Sequence, residues 1–209
     1  MSTKNDKQNW RYLFDGESFN GWEFKSAEHG WEIHSGAIHL AQPRGGAGRR
    51  DMYTVEKFAD FVLELEYKIA PKTNSGVFFR VADINDPKDW RFTGFELQIL
   101  DPALHEGLGG KEVCGAIYGL VAPTADTSRA AGEWNQVRIE CRGPLLAITL
   151  NGVLVTHLDV NTCTEPFKAP DNTPTKFPFA YATQPRRGHI ALQDHGGEIW
   201  FRNIRLLEL

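Results

Sequence analysis

The sequence predicts an all-β chain folded as a two-sheet antiparallel β-sandwich or jelly roll. Three observations carry this expectation. Apolar and polar residues alternate in segment after segment, as in half-buried strands. Glycine, proline, asparagine and aspartate cluster between those segments and mark turns. No stretch repeats its apolar residues with the helical period of about 3.6.

The elements follow in chain order. LFDGESFNGWEF (13–24) carries turn signals at Asp15-Gly16 and Asn20-Gly21 ahead of Trp22. WEIHSGAIHL (31–40) reads as a hairpin turning at Ser35-Gly36, with His34 and His39 on its surface. PRGGAGRR (43–50) reads as a flexible basic loop. It is no phosphate loop, because neither a Gly-Lys-Ser/Thr nor a helix follows. FVLELEYKI (61–69) is the cleanest strand, with Phe61, Leu63, Leu65, Tyr67 and Ile69 on one face. GVFFRVA (76–82), an acidic loop (83–93) and GFELQIL (94–100) come next, then a loop to about Glu112. AIYGLVAP (116–123) reads as a short strand stopped at Pro123. EWNQVRIEC (133–141) gives a strand and LLAITLNGVLVTHL (145–158) a hairpin about Asn151-Gly152. Residues 159–188 form a long excursion rich in Pro, Thr and Asn, of the kind that builds lids and rims. HIALQDH (189–195) and IWFRNIRLLEL (199–209) close the chain as strands. Neither a repeat nor a boundary interrupts this order, so one domain over 1–209 is expected.

Composition narrows the function classes. The 209 residues are 41% hydrophobic and 24% charged, as in ordinary globular proteins. A net charge of −4 without a basic stripe argues against nucleic acid as a partner. No apolar run approaches the roughly 20 residues of a spanning helix, so no membrane span is expected. The polar start MSTKNDKQNW lacks an apolar leader region. That implies a cytoplasmic protein as written, or a periplasmic or extracellular one whose leader has been removed. Three widely spaced cysteines form neither a zinc pattern nor a disulfide framework, and Cys141 continues a core alternation. Six Trp and thirteen Phe suit a strand-rich core and also offer faces on which sugar rings stack.

The functional signal is polar residues set inside strand patterns. In GFELQILD (94–101) Phe95, Leu97 and Ile99 alternate with Glu96 and Gln98, and Asp101 closes the run. NSGVFFR (74–80) adds Asn74 and Arg80; ALQDHG (191–196) adds Gln193, Asp194 and His195. If these strands are neighbours, one sheet face carries a carboxylate, an arginine, an amide pair and a histidine. Asp194 alternates away from that face unless a bulge re-aims it. Bland readings stand beside these: a cross-strand ion pair for Arg80, a turn for Asn74, a loop position for His195, a structural amide for Gln193.

LFDGESFNGW, NSGVFFR, GFELQILD, GAIYGLVAP, GEWNQVRI, LNGVLV, LQDHG and FRNIRL occur in one order over nearly the whole chain. Together they resemble the 3-keto-disaccharide hydrolase family. The resemblance implies a concanavalin A-like jelly roll and cleavage of 3-keto-glycosides by hydrolysis or elimination, with a carbohydrate as the small-molecule partner. A C3 carbonyl acidifies the C2 proton, so the reaction needs a base, donors for an enolate oxygen and an acid for the leaving oxygen. Glu96 and His195 are candidate bases. Arg80, Gln98 and Gln193 are candidate oxyanion donors. Asp101, Tyr118, or whichever of Glu96 and His195 is not the base, are candidate acids. Asn74 is a further substrate contact. No cofactor is required, although Glu96, Asp194 and His195 are conceivable ligands for a divalent metal. This reading requires Arg80 and Glu96 to face one cavity. A lectin-like binding module is the alternative. A two-carboxylate glycosidase using Glu96 and Asp101 is a third, and it fits only if the chain bends after Leu100.

Overall fold

A computed structural model describes residues 9–43, 50–86, 89–107 and 109–209. The basic loop expected over 43–50 and the polar start fall largely outside them. Thirteen strands run in chain order among the described residues. They are β1 (Arg11–Tyr12), β2 (Trp22–Phe24), β3 (Trp31–His34), β4 (Ala37–Leu40), β5 (Met52–Thr54), β6 (Phe61–Ile69) and β7 (Asn74–Val81). β8 (Phe95–Leu100), β9 (Asn135–Arg142), β10 (Leu145–Leu150), β11 (Val153–Asp159), β12 (His189–Leu192) and β13 (Ile199–Glu208) follow. Among the described residues helix is confined to single 3₁₀ turns.

The strands pair antiparallel into two sheets, as the alternation requires. One sheet runs β11-β10-β9-β6-β13-β4-β3, with β1 also on β13; the other runs β2-β5-β12-β7-β8. Leu63, Leu65, Ile139, Ile148 and Phe201 from the first meet Val77, Phe79, Leu97, Ile99, Ile190 and Leu192 from the second in one buried core. Each such side chain contributes about 1.5–3 kcal/mol by leaving water. Both expected hairpin turns are present, with Ser35-Gly36 and Asn151-Gly152 all at positive φ. All three cysteines are buried and free. The chain is therefore the all-β, two-sheet jelly roll that the pattern predicts.

Two elements differ from expectation. Residues 116–123 form no strand; Ile117 makes isolated bridges to Leu97 and Val121, and Gly119 turns the chain at φ 68. The second difference is a β-bulge in β7. Ala191 faces Phe78 and His189 faces Val81, so Phe79 and Arg80 together oppose Ile190. Arg80 takes φ 53 there, and alternation breaks. Asn74, Gly76 and Phe78 look away from the core, and Val81 rejoins Phe78 in a small outer cluster with Trp90 and Ala191. Arg80 is left pointing elsewhere.

Candidate active site

The face of the five-stranded sheet turned away from the core carries the polar residues that the core faces could not accommodate. Gln98 lies opposite Gly76 on the neighbouring strand, and Glu96 lies opposite Phe78. The Gln193 N–H donates to the Gly76 carbonyl at 3.1 Å and the Ser75 hydroxyl to the Gln193 carbonyl at 2.8 Å, which fixes Gln193 beside them. The chain returning after β8 lies along its edge, and the Tyr118 N–H donates to the Glu96 carbonyl at 2.9 Å. Asn74, Glu96, Gln98, Tyr118, Gln193 and His195 thus line one cleft, joined by Arg91, Phe92 and Lys176. Its volume is about 50 Å³, room for one or two waters.

Glu96 forms the floor. Its Oε1 accepts a hydrogen bond from Gln193 Nε2 at 3.0 Å. Gly76 makes room for it: a Cβ there would stand 2.6 Å from that same oxygen. Burial pushes the Glu96 carboxyl up to about 8, against the pull of Arg91 and Lys176, with the Asp51 charge adding to the rise. Gln98 Nε2 donates to Asn74 Oδ1 at 3.0 Å. Gln193 Oε1 is buried with no partner among the described residues, an acceptor open to a substrate hydroxyl. Lys176 Nζ donates to the Tyr118 hydroxyl at 3.3 Å and lies 4.6 Å from the ring centroid. Arg91 is steadied by Asp89, with Nε to Oδ1 at 2.8 Å. His195 stands exposed at the rim.

Behind Gln193, Asp51 is fully buried and accepts the Asp194 N–H at 2.6 Å. Burial raises the Asp51 carboxyl to about 7. Asp194 turns its own carboxylate to the Gly196 N–H and toward Arg50. Glu96, Asp194 and His195 are not gathered into a ligand cluster, and no group of three or more His, Cys, Asp or Glu among the described residues is.

Two expected site residues are corrected. Arg80 does not share the cleft with Glu96, so the requirement that both face one cavity fails, and the cations in the cleft are Arg91 and Lys176 instead. The bulge turns the Arg80 guanidinium onto the Ala59 and Gly143 carbonyls at 2.9 and 2.8 Å and onto Asp60 at 2.9 Å, where it is 1% exposed. Asp101 is a structural cap: its carboxylate accepts the Ala103 N–H at 3.0 Å and the Lys72 N–H. A Glu96–Asp101 catalytic pair is therefore not assembled. A roomier concavity of about 520 Å³ on the outer face of the larger sheet is lined by Glu64, Arg138 and Arg205, whose charges are spent on one another.

Residues 9–207 match the family model described as the 3-keto-alpha-glucoside-1,2-lyase-like domain. The chain belongs to that family. This makes it a carbohydrate-active enzyme of the hydrolase or lyase class. A 3-keto-disaccharide hydrolase of Bacteroides thetaiotaomicron is 27% identical over 96% of this chain and 79% of its own. A Parabacteroides distasonis structure, described as a candidate glycosyl hydrolase, is 31% identical with a TM-score of 0.81, covering 96% of this chain and 99% of that one. A Bacillus licheniformis β-glucanase shares the fold alone, at 11% identity and TM-score 0.55 over 96% and 97% of the two chains.

In this member of the 3-keto-glucoside lyase-like family, sequence reasoning missed Arg91, Phe92, Lys176 and Asp51. Arg91 and Phe92 sit on a 3₁₀ turn inside what reads as an acidic loop, with no periodicity to flag them. Lys176 belongs to the excursion already expected to form a rim. Asp51 adjoins the basic loop and leaves no pattern of its own.

Proposed function

We propose that the cleft cleaves 3-keto-glycosides by β-elimination, with Glu96 as the base. The observation that carries this reading is a floor carboxylate raised to about 8 and ringed by donors. A base of that strength suits a proton acidified only by a neighbouring carbonyl. The narrow cleft admits one edge of a pyranose, which would be the C2–C3 edge. Glu96 takes the C2 proton. The C2–H electrons form the C1=C2 bond as the C1–O bond breaks, and the leaving oxygen takes a proton from Tyr118, whose hydroxyl Lys176 backs. Arg91, Lys176 and Gln98 carry donors toward the C3 oxygen as enolate charge develops. The products are a 1,2-unsaturated 3-keto sugar and a free alcohol. Water adding across that double bond would complete a hydrolysis.

The test uses a 3-keto-glucoside and its C2-deuterated form. Deuterium should slow turnover, kcat/KM should climb with pH through about 8 as Glu96 ionises, and Glu96→Gln should lower kcat by about 10²–10⁴-fold. A profile falling through pH 8 would make Glu96 the acid. Binding without conversion would leave a lectin-like module.

A further inference from the structure

A second cavity, of about 510 Å³, adjoins the cleft. That is within the usual range of about 300–1,000 Å³ for small-molecule sites. It runs between the 109–112 turn and the 173–177 segment, and Tyr118 and Lys176 line both cavities. A ligand leaving the cleft must cross that pair to enter the groove, which puts the bond at the crossing within reach of the Tyr118 hydroxyl.

The groove's walls state what it can hold. Phe177 packs edge-on against Phe92 at 5.2 Å and Tyr118 at 6.4 Å, so it is a fixed surface. Pro174 adds a second apolar wall, Gly119 makes room for the Phe177 ring, and Gly109 leaves the backbone open to a flat group. Apart from the Glu112 carboxylate, the polar side chains already have partners. Lys111 Nζ donates to Asp171 at 2.6 Å and to the Thr173 hydroxyl at 2.7 Å, and Thr175 Oγ1 accepts the Phe177 N–H at 3.3 Å. A sugar would find few free hydrogen-bonding side chains here; a ring with an apolar face would find two rings and a proline.

We propose that this groove holds the leaving group of the glycoside and selects an aryl ring ahead of a second sugar. The proposal rests on the oxidised sugar occupying the neighbouring cleft.

The experiment compares methyl, benzyl and disaccharide 3-keto-glucosides on the intact chain and on Gly109→Phe. Gly109 lines the groove with φ −70 and ψ 152, and an added Cβ meets nothing within 4 Å, so a ring can be added at the groove's wall without straining the turn. The wild type should favour benzyl over methyl, whose leaving alcohols are about equally basic, by about ten-fold or more in kcat/KM, with the disaccharide between. In Gly109→Phe the benzyl-to-methyl ratio should fall toward one. An unchanged ratio overturns the groove, and a wild type that prefers the disaccharide to the benzyl substrate overturns the aryl choice. If the wild type converts none of the three, the elimination reading has failed, and the groove is judged by binding. Calorimetry with unoxidised benzyl glucoside should then show an affinity about ten-fold weaker in Gly109→Phe. No binding, or equal affinities, overturns it.

Discussion

At the scale of single residues, the site depends on what is absent from position 76. Any Cβ there would meet Glu96 Oε1 at 2.6 Å, its Cγ at 3.1 Å and the Leu97 carbonyl oxygen at 3.1 Å, so the carboxylate has its place because β7 carries glycine opposite Gln98. Gly76→Ala should move the base by a fraction of an ångström to an ångström and leave the strand paired. Misplacement on that scale costs on the order of 10²-fold in rate, so kcat should fall by about that much with KM nearly unchanged, while overpacking of about 1–3 kcal/mol lowers the melting temperature without unfolding the chain. Steady-state kinetics beside a thermal melt would check it; loss of folding instead would show that the glycine serves the backbone. Glu96 itself was legible in the sequence, since a carboxylate between Phe95 and Leu97 has no packing reason to be in a strand. The requirement at Gly76 was not, because it arises only once β7 and β8 are paired.

At the scale of elements, the bulge in β7 decides where an arginine goes. Alternation places Arg80 on the face of Asn74 and Gly76, and the sequence reading followed it there. One extra residue opposite Ile190 turns the side chain away, so its donors serve Ala59, Gly143 and Asp60. Arg80 thereby ties the ends of β6 and β9 to β7. Arg80→Met would keep the packing and strand two carbonyls and a carboxylate. Urea unfolding should show a loss of about 3 kcal/mol, while kcat/KM per folded molecule stays within about two-fold of wild type. A large kinetic loss at full stability would return Arg80 to the chemistry. Hairpins were legible because Asn-Gly and Ser-Gly encode their own backbone angles. Bulges have no such local signature in this chain, which is why Arg80 was misplaced and Arg91, on an unpatterned turn, was overlooked.

At the scale of the whole molecule, two carboxyls kept from water set how stability varies with pH. Glu96 and Asp51 rise from 4.5 to about 8 and from 3.8 to about 7. At these two sites the folded chain holds protons that the unfolded chain releases, so they lower stability as pH climbs from about 4 to 8, while His29 and His189, whose pKa values burial lowers, pull the other way below about 6.5. Melting temperatures measured from about pH 6.5 to 9 should decline. Asp51→Asn should flatten the part of that decline below about pH 7, by about 2–4 °C for each kcal/mol recovered. A melting temperature rising over the same window would contradict it. Activity and stability would then move in opposite directions with pH, because the same Glu96 proton must leave for the base to work. The jelly roll was legible from the alternation of its strands, whereas this opposition depends on burial across five strands.

The tie between Lys111 and Asp171 joins the two banks of the groove beside the cleft. Mild acid will not undo it, because the Lys111 hydrogen bond, with help from Thr173, holds the Asp171 carboxyl down to about 2. Dissolved ions will, since Asp171 is 53% exposed and mobile charge screens such pairs beyond about 8 Å at physiological ionic strength and closer in as salt is added. Raising sodium chloride should therefore loosen the grip on bulky aglycones and raise their KM, with methyl glycosides indifferent. Equal responses from both would show that the banks keep their spacing without the clasp.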